Sequence, residues 1–150
     1  MTAIVDIDGT LFNPVARLHH VSEQYGAGSI EPFVKDYAAF HDLCGHDPVV
    51  TPVAMLVRAL AKDHHVVLCT GRPEAYRDVT MDKLDENDIP ADELFMRGDH
   101  DHRKATVVKH DMLIQMIDLG YHPFIAIEDD QAVVDMWRAN GIHCLQTVTT

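Results

Sequence analysis

Ala3-Ile4-Val5-Asp6-Ile7-Asp8-Gly9-Thr10 joins an apolar run to two carboxylates and a glycine. Ala3 to Ile7 reads as a strand buried on both faces, because its residues are apolar and rich in β-branched side chains. Asp6 and Asp8 mark the place where that strand meets polar surroundings. Gly9 permits a sharp turn directly after it.

The same pattern recurs down the chain. His65 to Thr70 reads as a second buried strand, Leu94 to Met96 as a short third and Pro123 to Ile127 as a fourth. Ile142 to Leu145 reads as a final short strand. Helices are predicted between them. Thr51-Pro52 opens one, with Thr51 as N-cap and Pro52 in the first turn. Its apolar face is predicted to be Met55, Leu56, Ala59 and Leu60. Pro73 to Asn87 reads as the next helix. Another runs from Ala105 to Leu119, with Val108, Met112, Met116 and Leu119 at helical spacing and Gly120 as its stop. A last helix, Gln131 to Asn140, ends at Gly141. Apolar strands alternating with helices predict an α/β, Rossmann-like fold: a parallel sheet flanked by helices on both faces.

Residues 13–47 break this rhythm. They carry Phe33, Tyr37, Phe40 and Gly26-Ala27-Gly28, and are too many for a simple strand-to-helix turn. The segment reads as a small inserted cap over the sheet's carboxyl edge, within a single domain spanning residues 1–150. That edge is where open parallel sheets bind ligands. Asp6 and Asp8 lie at the end of the first strand, Thr70-Gly71-Arg72 at the second and Glu128-Asp129-Asp130 at the fourth. Residues far apart in sequence are thereby expected to converge.

Composition narrows the function classes. The 150 residues are 47% hydrophobic and 24% charged, ordinary for a globular domain with a core. No apolar run approaches the ~20 residues of a membrane span, and Met1-Thr2-Ala3 has no basic leader region. A cytoplasmic location, without a membrane, is therefore expected. Cys44, Cys69 and Cys144 are widely spaced and read as buried reduced thiols. The net charge of −12 disfavours a broad nucleic-acid-binding surface but leaves room for a small anionic substrate. The eleven histidines are scattered and mostly expected to face solvent. Asp99-His100-Asp101-His102 reads as a solvated loop in preference to a metal site.

Buried carboxylates need compensation, and a hard divalent cation supplies it. Magnesium takes one or two carboxylates, carbonyl and water oxygens, and substrate phosphate. Asp6 and Asp129 can supply carboxylates, and Asp8 a backbone carbonyl. Asp6 is also placed to attack phosphorus and form an aspartyl-phosphate. Asp8 can protonate the leaving oxygen and then deprotonate water. Thr70 and the amides around Gly71 can bind phosphate oxygens, and Lys109 can neutralise charge on the transferring group. Plainer readings stand beside these. Arg72 can instead form a structural salt bridge, Lys109 can be an exposed helix lysine, and Glu128 can orient Asp129 or lie outside the inner site.

On these residues the chain resembles the haloacid dehalogenase (HAD) superfamily, through Asp6-Ile7-Asp8-Gly9-Thr10 after an apolar strand. Within it the chain looks like the 3'-phosphatase domain of phage and bacterial polynucleotide kinase-phosphatases. The resemblance implies that Asp6 is nucleophile, Asp8 general acid-base and Asp129 a ligand of Mg2+. It also implies active-site roles for Arg17, for Thr70-Gly71-Arg72, for Asp101-His102-Arg103-Lys104 and for Lys109. Arg17, Thr70, Gly71, Arg72 and Arg103 would bind substrate or its phosphate. Two departures stand out: Ala105 and Thr106 replace an acidic pair, and Asp130 replaces an arginine. No GxxxxGK[ST] sequence occurs, so a kinase half is not expected.

The expected function is a Mg2+-dependent phosphomonoesterase acting on the 3'-phosphate of a nucleotide or nucleic-acid end. A nucleotidase or small-metabolite phosphatase is the alternative, made plausible by Ala105. A non-catalytic binding module is the third reading, and the intact Asp6, Asp8, Lys109 and Asp129 argue against it.

Overall fold

The computed structural model describes residues 1–25 and 33–148. Gly26-Ala27-Gly28 of the expected insertion lies outside them. The strands β1 (Thr2–Val5), β2 (His65–Pro73), β3 (Glu93–Arg97), β4 (Pro123–Glu128) and β5 (His143–Gln146) form one sheet in the order β3-β2-β1-β4-β5. All its pairings are parallel, with Val5 beside Leu68 on one side and Ile127 on the other. The α/β fold is as expected, and β1 lies at its centre.

The helices are α1 (Tyr37–Asp42), α2 (Thr51–Leu60), α3 (Arg77–Glu86), α4 (Ala105–Asp118) and α5 (Gln131–Ala139). Alternating strand residues feed two cores, as a period of two requires. Ile4, Val67 and Cys69 pack with Val108, Met112 and Met116 of α4 and Val134 and Trp137 of α5. Val5, Val66 and Leu68 pack with Val53 and Val57 of α2 and Leu84 of α3. Each large apolar side chain fully buried this way contributes about 1.5–3 kcal/mol. Cys44, Cys69 and Cys144 are buried free thiols.

Four local expectations are corrected. Thr51 is the first residue of α2, not its cap; Val50 occupies the cap position without a side-chain hydrogen bond. The buried face of α2 is Val53, Ala54 and Val57, while Met55 and Leu56 are exposed. Both stripes have helical spacing. The choice is made by the helix's entry, where the Val50 N–H donates to the Leu11 carbonyl at 2.8 Å and Phe12 bridges Val49. The third correction is at Pro73, which ends β2 instead of starting a helix. It pairs with Arg97 of β3 after a register shift, a 3-10 turn follows at Glu74–Tyr76, and α3 starts only at Arg77. In α4, Val108, Met112 and Met116 are buried as expected, whereas Leu119 is exposed.

Between β1 and α2 the described chain forms 3-10 turns at Val15–His20, Glu23–Tyr25 and Cys44–His46, with α1 among them. Its ends are tied together, since the Asn13 N–H donates to the Pro48 carbonyl at 2.9 Å. Among the described residues no helix is long and apolar enough to cross a membrane.

Candidate active site

Parallel pairing brings every strand's carboxyl end to one edge. Asp6 follows β1 there, and its N–H continues the ladder by donating to the Ile127 carbonyl at 3.0 Å. Its side chain is buried. Lys109, in α4, donates through Nζ to Asp6 Oδ1 at 2.6 Å and to Glu128 Oε2 at 2.7 Å. Burial pushes the Asp6 carboxyl up to about 7; the Glu128 charge adds to this and Lys109 opposes it. Burial, then the Asp6 charge, raises Asp129 to about 6. Burial also raises Glu128. Lys109 is held protonated: burial works against its charge, and Asp6 and Glu128 outweigh burial.

Asp6 Oδ2 is buried without a hydrogen-bond partner among the described residues. Such an oxygen is costly unless a cation or ligand meets it. Asp6, Glu128 and Asp129 each offer a carboxylate oxygen, all within 4.8 Å of one another. Once ionised, three acids against one lysine leave this cluster negative. The donors are hard oxygens, the set that suits magnesium. Gly9 has φ +89, and a Cβ there would lie 2.1 Å from Asp129 Oδ2. The glycine thus serves both the turn and the close approach of Asp129.

Asp8 lies beside this centre, clamped by two buried arginines. Arg72 donates from Nη2 to Oδ1 at 2.7 Å and from Nε to Oδ2 at 3.0 Å. Arg17 donates from Nη2 to the same Asp8 Oδ1. Burial would raise the Asp8 carboxyl, but the Arg72 charge and hydrogen bonds, with Arg17, hold it down at about 2. Each arginine is anchored in turn. Arg17 donates from Nε to Asp47 Oδ1 at 2.9 Å and from Nη1 to the Phe40 carbonyl at 2.9 Å, and its guanidinium lies 3.9 Å from the Phe40 ring centroid. Arg72 Nη1 donates to Thr80 Oγ1 at 3.2 Å.

The expected site residues therefore fall into three groups. Asp6, Lys109 and Asp129 meet, with Glu128 bonded to the same lysine. Arg17 and Arg72 converge on Asp8, so for Arg72 the salt-bridge reading describes this structure. Thr70 is fully buried and accepts from the Arg72 N–H at 3.2 Å, while Gly71 lines the cleft. Arg103 lines the same cleft as Asp6 and is paired with Asp101 and Asp111. Arg97, unassigned by sequence, braces that loop by donating to the carbonyls of Gly71, Asp101 and Arg103.

Sequence reasoning also missed Asp47, Thr80, His41 and Tyr76. Asp47 is buried, 30 residues from the arginine it holds, and no local pattern marks it. His41 is an exception to the expected solvent-facing histidines. Burial lowers it to about 4 despite the nearby Asp8 charge, so its ring is neutral. His41 and Tyr76 line a cleft of about 970 Å³ whose surface includes Asp6, Asp8, Lys109 and Asp129.

Comparison with known proteins adds a family. The profile of the polynucleotide kinase PNKP phosphatase domain matches residues 1–150. Among solved structures, a chain of a Pnkp1/Rnl/Hen1 complex is similar at TM-score 0.76 and 29% identity, over 97% of this chain and 45% of that one. A chain of a Pnkp1/Rnl/Hen1 RNA repair complex is similar at TM-score 0.75 and 28% identity, over 97% and 42%. This chain thus spans less than half the length of those relatives. A haloacid dehalogenase-like hydrolase from Streptococcus pneumoniae has TM-score 0.61 at 16% identity, over 97% and 83%, a likeness of fold alone.

Proposed function

Since the chain belongs to the polynucleotide kinase PNKP phosphatase domain family of the HAD superfamily, we propose that it is a magnesium-dependent phosphomonoesterase. Its substrate is the 3'-phosphate of a nucleotide or nucleic-acid end, and it works through an aspartyl-phosphate on Asp6. The observation that carries this reading is the unpartnered, buried Asp6 Oδ2, whose sister oxygen is held by Lys109. The RNA repair complex of the relative supports a nucleic-acid end as substrate.

Asp6 Oδ2 attacks phosphorus, and the bond from phosphorus to the leaving oxygen breaks. Asp8 delivers a proton to that oxygen. Asp8, again a carboxylate, takes a proton from water as the water oxygen attacks the aspartyl-phosphate, releasing inorganic phosphate and restoring Asp6. The clamp of Arg17 and Arg72 favours the ionised Asp8 of this second step. The first step requires the clamp to loosen when the substrate phosphate enters. Lys109 fixes Asp6 and offsets negative charge at the transferring group. Asp6, Asp129 and the Asp8 carbonyl would hold Mg2+, which screens phosphate charge from the carboxylate nucleophile. The segment 13–47 serves as the cap that selects the leaving group.

A panel of 3'- and 5'-phosphorylated nucleotides and oligonucleotides, with and without magnesium, tests the assignment. Turnover is expected for 3'-phosphates and to need the metal. Hydrolysis confined to 5'-mononucleotides or sugar phosphates would instead favour the small-metabolite reading, which the cleft-lining Ala105 supports by leaving an acid out. Asp6→Asn is expected to lower turnover about a thousandfold or more while the protein stays folded by circular dichroism. Retained activity would refute the nucleophile.

A further inference from the structure

The mechanism leaves one part of the cleft unused. Tyr37, His41 and Tyr76 line the same cleft as Asp6 and Asp8. Tyr37 and His41 are four residues apart on α1, so they share a helix face. The His41 and Tyr76 rings lie 5.4 Å apart between centroids. Tyr76 is held in place, since its hydroxyl donates to Asp42 Oδ1 at 2.7 Å. Tyr37 is 56% exposed and gives the cleft a large aromatic surface. The neighbouring Phe40 is buried under Arg17, so α1 carries both a support of the Asp8 clamp and the aromatic wall.

We propose that Tyr37, His41 and Tyr76 form a stacking platform for the nucleobase of the nucleotide whose phosphate reaches Asp6. The inference rests on the phosphatase reading and names the feature by which the site selects its substrate. Flat aromatic side chains stack on any base without reading its edge, and such stacking strengthens binding measurably. The platform therefore selects base-bearing phosphates over base-free sugar phosphates and discriminates little among bases. It needs only one nucleotide, which fits a chain of net charge −12 that has little use for a long polyanion.

The test compares kcat/KM for a nucleoside 3'-phosphate, a 3'-phosphorylated oligonucleotide and base-free ribose 3-phosphate. Both base-bearing substrates are expected to exceed the base-free one by about tenfold. Tyr37→Ala, at an exposed position, is expected to erase that advantage by raising KM and to leave ribose 3-phosphate unaffected. Tyr76→Phe, which keeps the ring but loses its bond to Asp42, is expected to retain most of the preference. Equal rates with and without a base, or an equal loss on all substrates in Tyr37→Ala, would overturn the platform. A preference for the oligonucleotide over the mononucleotide that survives Tyr37→Ala would also count against it. A second readout separates this idea from the phosphatase reading. 2-Aminopurine riboside 3'-phosphate is titrated into Asp6→Asn protein with magnesium. Quenching of its fluorescence, weakened by Tyr37→Ala, supports the platform even if no phosphomonoester is turned over. Binding without quenching, or no binding, would sink it.

Discussion

At the scale of single residues, Asp6, Glu128 and Lys109 are held in mutual dependence. Removing the lysine strands two buried carboxylates, and breaking a buried pair in that way costs about 3–5 kcal/mol. Lys109→Met is expected to lose stability of that order in urea unfolding. Adding Glu128→Gln removes one stranded charge and is expected to restore at least about 1 kcal/mol without restoring turnover. Strictly additive losses would show that the lysine does not couple the two acids. Most of this centre was legible in the sequence. A carboxylate ending an apolar strand has few structural uses, and Asp6, Asp129 and Lys109 could be named from that chemistry and from the resemblance. The partners of Asp8 were harder. Arg17 and Arg72 are expected from the resemblance as phosphate ligands, and the sequence carries no sign that Asp47, Phe40 and Thr80 position both guanidiniums on Asp8.

At the scale of elements, the Asp8 clamp fastens β1's exit to β2 through Arg72 and to the segment before α2 through Arg17 and Asp47. Asp8 is depressed to about 2 from a usual 3.8, so its contribution to stability is present above the usual value and is lost as pH falls through the folded one. The stability difference between wild type and Asp8→Asn is therefore expected to narrow by about 2 kcal/mol between roughly pH 4 and pH 2. Parallel pH curves would contradict the clamp. The elements themselves were mostly legible, because buried parallel strands are apolar throughout and cannot be mistaken for loops. The register of α2 was not. Two apolar stripes run along it, and only the bonds from Val49 and Val50 back to Leu11 and Phe12 choose between them. Pro73 misled for a related reason: proline suits a first helical turn, but pairing with Arg97 keeps it in the sheet.

For the whole molecule, the acidic centre couples proton binding to the fold. Asp6 and Asp129 are raised to about 7 and about 6, so the metal-free folded state holds protons that the unfolded chain releases. Stability from that source is complete below the usual carboxylate range and is lost as pH rises through these values. Magnesium bound at the proposed site would compete with those protons. It is expected to raise the thermal midpoint by a few degrees near pH 8 and by much less near pH 5. An equal shift at both pH values would place the ion elsewhere. The proposed mechanism stands on a covalent intermediate at Asp6. In a single turnover with magnesium and a 3'-phosphorylated nucleotide, the intact protein is acid-quenched, reduced with borohydride and mapped by peptide mass. Homoserine at position 6, absent when substrate is omitted, is the expected result; turnover without any adduct, or an adduct at another residue, would contradict it.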